Sequence, residues 1–209
     1  MTRKSLTSTA FAILSSVAVL TGCGDDAAEH GSHPATDGGS APAATSPSVS
    51  TPVSGEHNEA DIRFAQEMIP HHRQAVAMAA LVPSHSTDPR VVDLAARIQQ
   101  AQDPEIAAMT GWLEAWGAPV PEDSGHSGTD HGAMPGMMST EQMAELEAAE
   151  GAEFDRMWLT MMIDHHEGAV QMARTELAEG TDPQARVTAQ QIIDAQQSEI
   201  QEMRAMLES

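Results

Sequence analysis

Over residues 59 to 81 the inward positions recur at alternating steps of three and four, through Ile62, Ala65, Ile69, His72, Val76 and Ala79. That spacing keeps one stripe of an α-helix facing a core. The stripe breaks over residues 82 to 86. Asp88-Pro89 then offers an acidic N-cap and a proline at the first helical position, which starts a second helix. Its seam runs through Ala95, Ile98, Gln102, Ile106, Met109 and Leu113. Residues 117 to 140 hold glycine, proline and serine and read as a linker closed by a cap at Ser139 or Thr140. A third helix is expected from 141 to about 179, helped early on by Glu145, Glu147 and Glu150. A short turn at 180 to 182 leads through Asp182-Pro183 to a fourth helix. Its seam repeats all six residue types of the second, as Ala189, Ile192, Gln196, Ile200, Met203 and Leu207. The pattern predicts an all-α fold: a four-helix bundle of two helical hairpins, related by an approximate twofold, with the long linker crossing between them.

The hairpins are copies of each other. The stretch D-I-R-F-A-Q-E-M-I-P-H-H-R-Q-A-V-A-M-A, from residue 61, returns 94 residues later as D-R-M-W-L-T-M-M-I-D-H-H-E-G-A-V-Q-M-A. The register holds without a gap through Thr87-Asp88-Pro89 and Thr181-Asp182-Pro183 to residues 114 and 208, with about 21 of 54 aligned positions identical. One supersecondary unit has been duplicated, which divides the folded part, residues 58 to 208, into repeat one (58–116), a linker (117–140) and repeat two (141–208).

Upstream the chain has a different character. Residues 1 to 22 read as a leader: Arg3 and Lys4 form a charged start, residues 11 to 20 an apolar stretch too short for a confident membrane span, and Leu20-Thr21-Gly22-Cys23 resembles the lipobox of bacterial lipoproteins. That resemblance implies lipidation of Cys23 and an extracytoplasmic protein anchored to the cell membrane. Cys23 is the one cysteine of the chain, so no disulfide is expected. Residues 23 to 57, rich in Gly, Ser, Pro, Ala and Thr, read as a flexible tether holding His30, His33 and His57. The chain carries 10 Lys and Arg against 31 Asp and Glu, a net charge of -21. This argues against nucleic acid or an anionic membrane surface as a partner and favours cations weakly. The sequence names no protein partner and leaves a homo-oligomer open.

The candidate chemistry lies in the repeated stretch. At about 100° per residue, Met68, His71, His72 and Met78 share an arc roughly 120° wide, and Met162, His165, His166 and Met172 share the matching arc of repeat two. Ala75 and Ala169 lie on the same arcs and leave space. A methionine stripe alone is ordinary core filler, and a lone inward histidine is ordinarily a satisfied one. Two adjacent histidines, duplicated together with their methionines, favour ligation. Imidazole with thioether suits copper, Cu(I) above all and Cu(II) as well, and both remain usable where thiols oxidise. Gln102 and Gln196, polar in apolar seams, need partners and are expected to orient an imidazole by a hydrogen bond. The linker adds His126, His131, Met134, Met137 and Met138 as accessory metal contacts, since a polar Gly-rich loop gives methionines no packing role. Pro70, just before the first histidine pair, implies either a kink in helix one or a break there, with Asp164 as an N-cap at the equivalent point of repeat two.

Both stretches, together with Q-x-x-E-I-x-x-M at residues 102 to 109 and again at 196 to 203, resemble the bacterial domain-of-unknown-function family 305 (DUF305), related in fold to ferritin-like four-helix bundles. The resemblance covers residues 58 to 207. Some members are periplasmic copper-binding proteins, which implies metal ligation at Met68, His71, His72 and Met78 and at Met162, His165, His166 and Met172. The expected function is copper sequestration or delivery without catalysis. Two rival readings are a ferritin-like oxidase and a structural or partner-binding bundle without metal. Di-iron bundles carry Glu-x-x-His pairs, which this sequence lacks, and Glu67 and Glu167 are each unmatched in the other repeat.

Overall fold

Each helix but one begins where a side chain can satisfy its first backbone N–H groups. In the computed structural model, which describes residues 56–122 and 134–209, Asn58 caps α1 (Glu59–His85). Its side chain accepts from Ala60 and Asp61 while Asp61 takes the Asn58 N–H, a closed capping box. Asp88 caps α2 (Pro89–Trp116), which ends on Gly117 in the left-handed region. Ser139 and Gln142 form the capping box of α3 (Thr140–Ala148). α4 (Gly151–Glu179) starts without a side-chain cap, and Asp182 caps α5 (Pro183–Leu207). Each cap contributes about 1 kcal/mol.

α1 packs on α2, α4 packs on α5, and the two hairpins meet chiefly through α1 against α4. This is the all-α arrangement of two repeated hairpins that the heptad-like seams imply. Trp158, fully buried, ties the centre by donating its indole N–H to the Met78 carbonyl at 3.0 Å. Among the described residues no helix is long and apolar enough to cross a membrane.

Four expectations need correction. The single helix expected over 141 to 179 is two: Ala149 and Glu150 are extended and Gly151 has φ +59, so α3 turns its Met143 and Leu146 onto the core before α4 begins. α1 runs on to His85, so the hairpin turn is only Ser86 to Asp88. Helix α1 is unbroken at Pro70, and α4 is unbroken at Asp164, so Asp164 caps nothing. In the seams Ile106 is half-buried and Leu207 exposed, while their neighbours Met109 and Met203 are fully buried.

The expected tether is fixed at its last residue, where His57 stacks on Trp116 with ring centroids 4.9 Å apart. The leader and the tether up to residue 55, Cys23, His30 and His33 among them, lie outside the described residues, as do His126 and His131 of the linker.

Candidate metal centre

The duplicated histidines meet where α1 crosses α4. His71 and His165, one from each repeat, have ring centroids 3.7 Å apart with planes inclined by 40°. His71, His72, His165 and His166 are all fully buried, and Ala75 and Ala169 are buried beside them. The methionines are buried too, but they sort by cluster rather than by repeat. Met68 and Met172 share one apolar cluster with Phe64, Met109 and Leu113; Met78 and Met162 share the other with Met138, Phe154 and Trp158. Each cluster thus holds one of these methionines from each copy, the earlier position of one with the later position of the other.

Three of the rings are held from outside. The His72 Nε2–H donates to Glu105 Oε2 at 2.8 Å, and the His166 Nε2–H donates to Glu199 Oε2, also at 2.8 Å. The His71 Nε2–H donates to the Pro135 carbonyl at 3.0 Å. The remaining ring nitrogens have no partner: Nδ1 of His71, His72 and His166, and both nitrogens of His165. Burial, reinforced by the His72 charge and opposed by the Pro135 carbonyl, pushes His71 down to about 3. Burial and then the His71, His166 and His72 charges outweigh an opposing pull from the His71 backbone and push His165 well below the usual histidine range. Both therefore stand neutral at physiological pH, with lone pairs free. Buried polar atoms without partners are rare in folded proteins. Five on four adjacent histidines are what an ion-binding centre would leave open, and neutral imidazole beside thioether suits a soft ion. Among the described residues no three His, Cys, Asp or Glu side chains converge in ligand geometry. Instead the tilted His71 and His165 rings are in direct contact.

Glu105 and Glu199, rather than Gln102 and Gln196, bond the imidazoles; the two glutamines are buried and their Oε1 atoms have no partner. The glutamates also repeat at 94 residues, one helical turn beyond each glutamine in Q-x-x-E-I-x-x-M. That repetition was the signal for them.

The linker reaches the centre as a built turn. Met134-Pro135-Gly136-Met137 closes with the Met137 N–H on the Met134 carbonyl at 3.2 Å, and Gly136 takes φ +78, the positive value that position i+2 of a type II turn requires. Gln74 clasps the next residue twice, donating to the Met138 carbonyl at 2.9 Å and accepting its N–H at 2.7 Å. Met138 is 6% exposed and packs in the core, so this methionine has the packing role that its loop composition hides, while Met134 and Met137 stay half-buried. The repeat breaks its own symmetry for this turn: the residue equivalent to Gln74 is Gly168, and a side-chain carbon there would run into the Pro135 carbonyl. Gly168→Ala is accordingly expected to lift the turn off α4 and cost about 2 kcal/mol, seen as a lower urea midpoint. Gly111→Ala, where the added methyl meets nothing, is the control and should gain up to about 1 kcal/mol.

The model of the family described as "Domain of unknown function (DUF305)" matches residues 61–207. The chain belongs to the DUF305 family. Solved members of similar structure include a Streptomyces coelicolor protein described as a "putative secreted protein DUF305", 34% identical with TM-score 0.64, covering 71% of this chain and 91% of its own. A DUF305 fragment from Deinococcus radiodurans is 33% identical with TM-score 0.65, over 72% of this chain and 96% of its own. CopM is 32% identical in its Cu(II)-bound form, with TM-score 0.62, and 30% identical in its Cu(I)-bound form, with TM-score 0.59; both cover 71% of this chain and 95% of their own. CopM has also been solved in Ag-bound and apo forms. No curated protein matches the chain. Within this DUF305 fold both histidine pairs lie at the α1–α4 crossing, so the residues that carry the family resemblance are also the ones left with unpartnered nitrogens.

Proposed function

We propose that this protein binds copper outside the cytoplasm, holding it at the four-histidine centre between α1 and α4 and sequestering it or passing it on without catalysis. The observation that carries this reading is the set of five buried, unpartnered ring nitrogens on His71, His72, His165 and His166. Similarity to CopM, a protein solved with Cu(I), Cu(II) and Ag, supports it. The thioethers of Met68, Met78, Met162 and Met172 complete a soft donor set that favours Cu(I). The contact between His71 and His165 favours one shared centre over one site per repeat. Those two rings leave no space between them, so loading parts them. Met134 and Met137 of the linker turn, with His126 and His131 of the same linker, are accessory contacts in this reading. The lipobox-like L-T-G-C at Cys23 supports a lipid anchor on the outer side of the cell membrane.

Metal analysis tests the function directly. Protein purified from copper-supplemented cells should carry copper in excess of zinc and iron, and the apo-protein should take up Cu(I) and Ag(I) against a chromophoric competitor. Protein that emerges free of copper and takes up neither ion overturns the reading in favour of a structural bundle.

A further inference from the structure

Three imidazoles of the centre are fixed by acceptors that cannot donate. A carboxylate and a peptide carbonyl offer only lone pairs, so the ring nitrogen facing each must carry hydrogen. Glu105 faces His72 Nε2, Glu199 faces His166 Nε2, and the Pro135 carbonyl faces His71 Nε2, at 2.8, 2.8 and 3.0 Å. On the opposite edge the Nδ1 atoms of all three rings are buried without a partner. A second hydrogen at Nδ1 would put a donor and a charge where nothing accepts either. A lone pair there meets no such penalty once an ion arrives.

Building on the proposed metal centre, we infer that Glu105, Glu199 and the Pro135 carbonyl are positioning groups that lock His72, His166 and His71 in the Nε2–H tautomer. Each of these rings can therefore meet an ion only through its Nδ1 lone pair, and since no three of these side chains converge as the rings stand, the three atoms share one ion only once the His71–His165 contact parts. His165, with neither nitrogen engaged, is the one ring free to choose its ligating atom. The arrangement has a division of labour: two acceptors belong to the repeats themselves, on α2 and α5, and the third is lent by the linker turn. That turn is held in place by Gln74 and by the space over Gly168. Outer acceptors of this kind fix ring orientation and raise ligand basicity, and their loss typically weakens metal binding 10- to 100-fold.

The test is nitrogen NMR on the full-length protein labelled at histidine, first without metal and then with Ag(I). In the apo-protein, His71, His72 and His166 should each show a protonated Nε2 and an unprotonated Nδ1, and Ag(I) should move the three Nδ1 resonances. Glu105→Leu and Glu199→Leu should release the tautomer of the partner ring only and weaken Ag(I) about 10- to 100-fold. Glu105→Gln and Glu199→Gln, whose amide oxygens still accept, should keep the wild-type tautomer and bind within a few-fold; this rescue separates positioning from mere packing. Unprotonated Nε2 atoms in the apo-protein, or Ag(I) shifts confined to Nε2, overturn this inference alone. Wild-type protein that binds no Ag(I) overturns ligation through Nδ1 together with the function it rests on.

Discussion

Replacing His71 and His72 together with leucine should leave a folded bundle that has lost all tight Cu(I) and Ag(I) binding, and replacing His165 and His166 should do the same. The expectation follows from the contact between His71 and His165: each repeat contributes half of one centre, so neither pair suffices. Folding is the control, because all four rings are fully buried. Leucine is close to histidine in volume, and the change removes two Nδ1 atoms that lack partners, each of which costs about 1–3 kcal/mol when buried. Glu105, freed of its ring, is partly open to water and can be solvated. The metal-free double variant should therefore melt no lower than the metal-free wild type. Competition titration with Ag(I) and thermal melting on the same samples decide the matter. A variant that keeps half the stoichiometry would show one site per repeat. One that keeps all of it would move the ligands to the linker around residues 126 to 138.

Much of this arrangement is legible in the sequence because its rules are local. The Asp-Pro starts of α2 and α5 are confined to adjacent residues, and the seams need only a period of 3.6. The duplication then does what no local rule can. It declares that the histidine pair of one copy has a counterpart, and twofold packing brings the two pairs together at one crossing. The partners of the imidazoles are harder to read. Periodicity reports where a Cβ points, so it selects Gln102 and Gln196, which face the seam. Glu105 and Glu199 lie at the seam's edge, and their longer side chains reach back to the rings. The division between α3 and α4 is hidden for a related reason. Strong helix formers surround it, and the break is recorded only in the backbone of Ala149 and Glu150, both extended, and of Gly151, with φ +59.

The linker shows what a repeat cannot predict, since one copy of a connecting segment must serve two equivalent halves. Positions 74 and 168 differ because the turn at 134 to 137 leans on only one side of the pseudo-twofold. There glycine admits the backbone, while glutamine on α1 clasps Met138. The Asp61 pair is a second departure of this kind. Asp61 sits buried at the start of α1 and accepts N–H groups from Asn58, Thr181 and Asp182. Glu176 is buried beside it where repeat one has Val82.

Glu176→Gln is expected to stabilise the protein at pH 8 by roughly 2–4 kcal/mol and to leave its stability at pH 4 nearly unchanged. Glu176 is 1% exposed and no donor reaches its carboxyl oxygens. Burial, then the adjoining Asp61 carboxylate, raises it to about 8. Burial also pushes Asp61 up, but the hydrogen bonds from Glu176 and from the Asn58, Asp182 and Thr181 backbone outweigh it and hold Asp61 below the usual range. Glu176 is thus the protonated partner, donating its O–H to an ionised Asp61. Between the ordinary carboxyl value of 4.5 and about 8 the folded chain holds one proton that the unfolded chain has lost. Stability from this group therefore falls as pH rises through that window, by about 1.4 kcal/mol per unit, and levels off above it. His71 and His165 act in the opposite sense at lower pH. Their folded values are depressed, so their contribution grows as pH rises toward 6.5 and is complete above it. A wild-type stability curve mixes the two, and the difference between wild type and Glu176→Gln removes the histidines from the comparison. Glutamine keeps a donor for Asp61 and cannot ionise, so that difference should be near zero at pH 4, open steadily through pH 5 to 8 and then stay flat. Urea midpoints at each pH measure it. A difference that does not change with pH would mean that Glu176 is already ionised in the folded protein and that the Asp61 pair shares no proton.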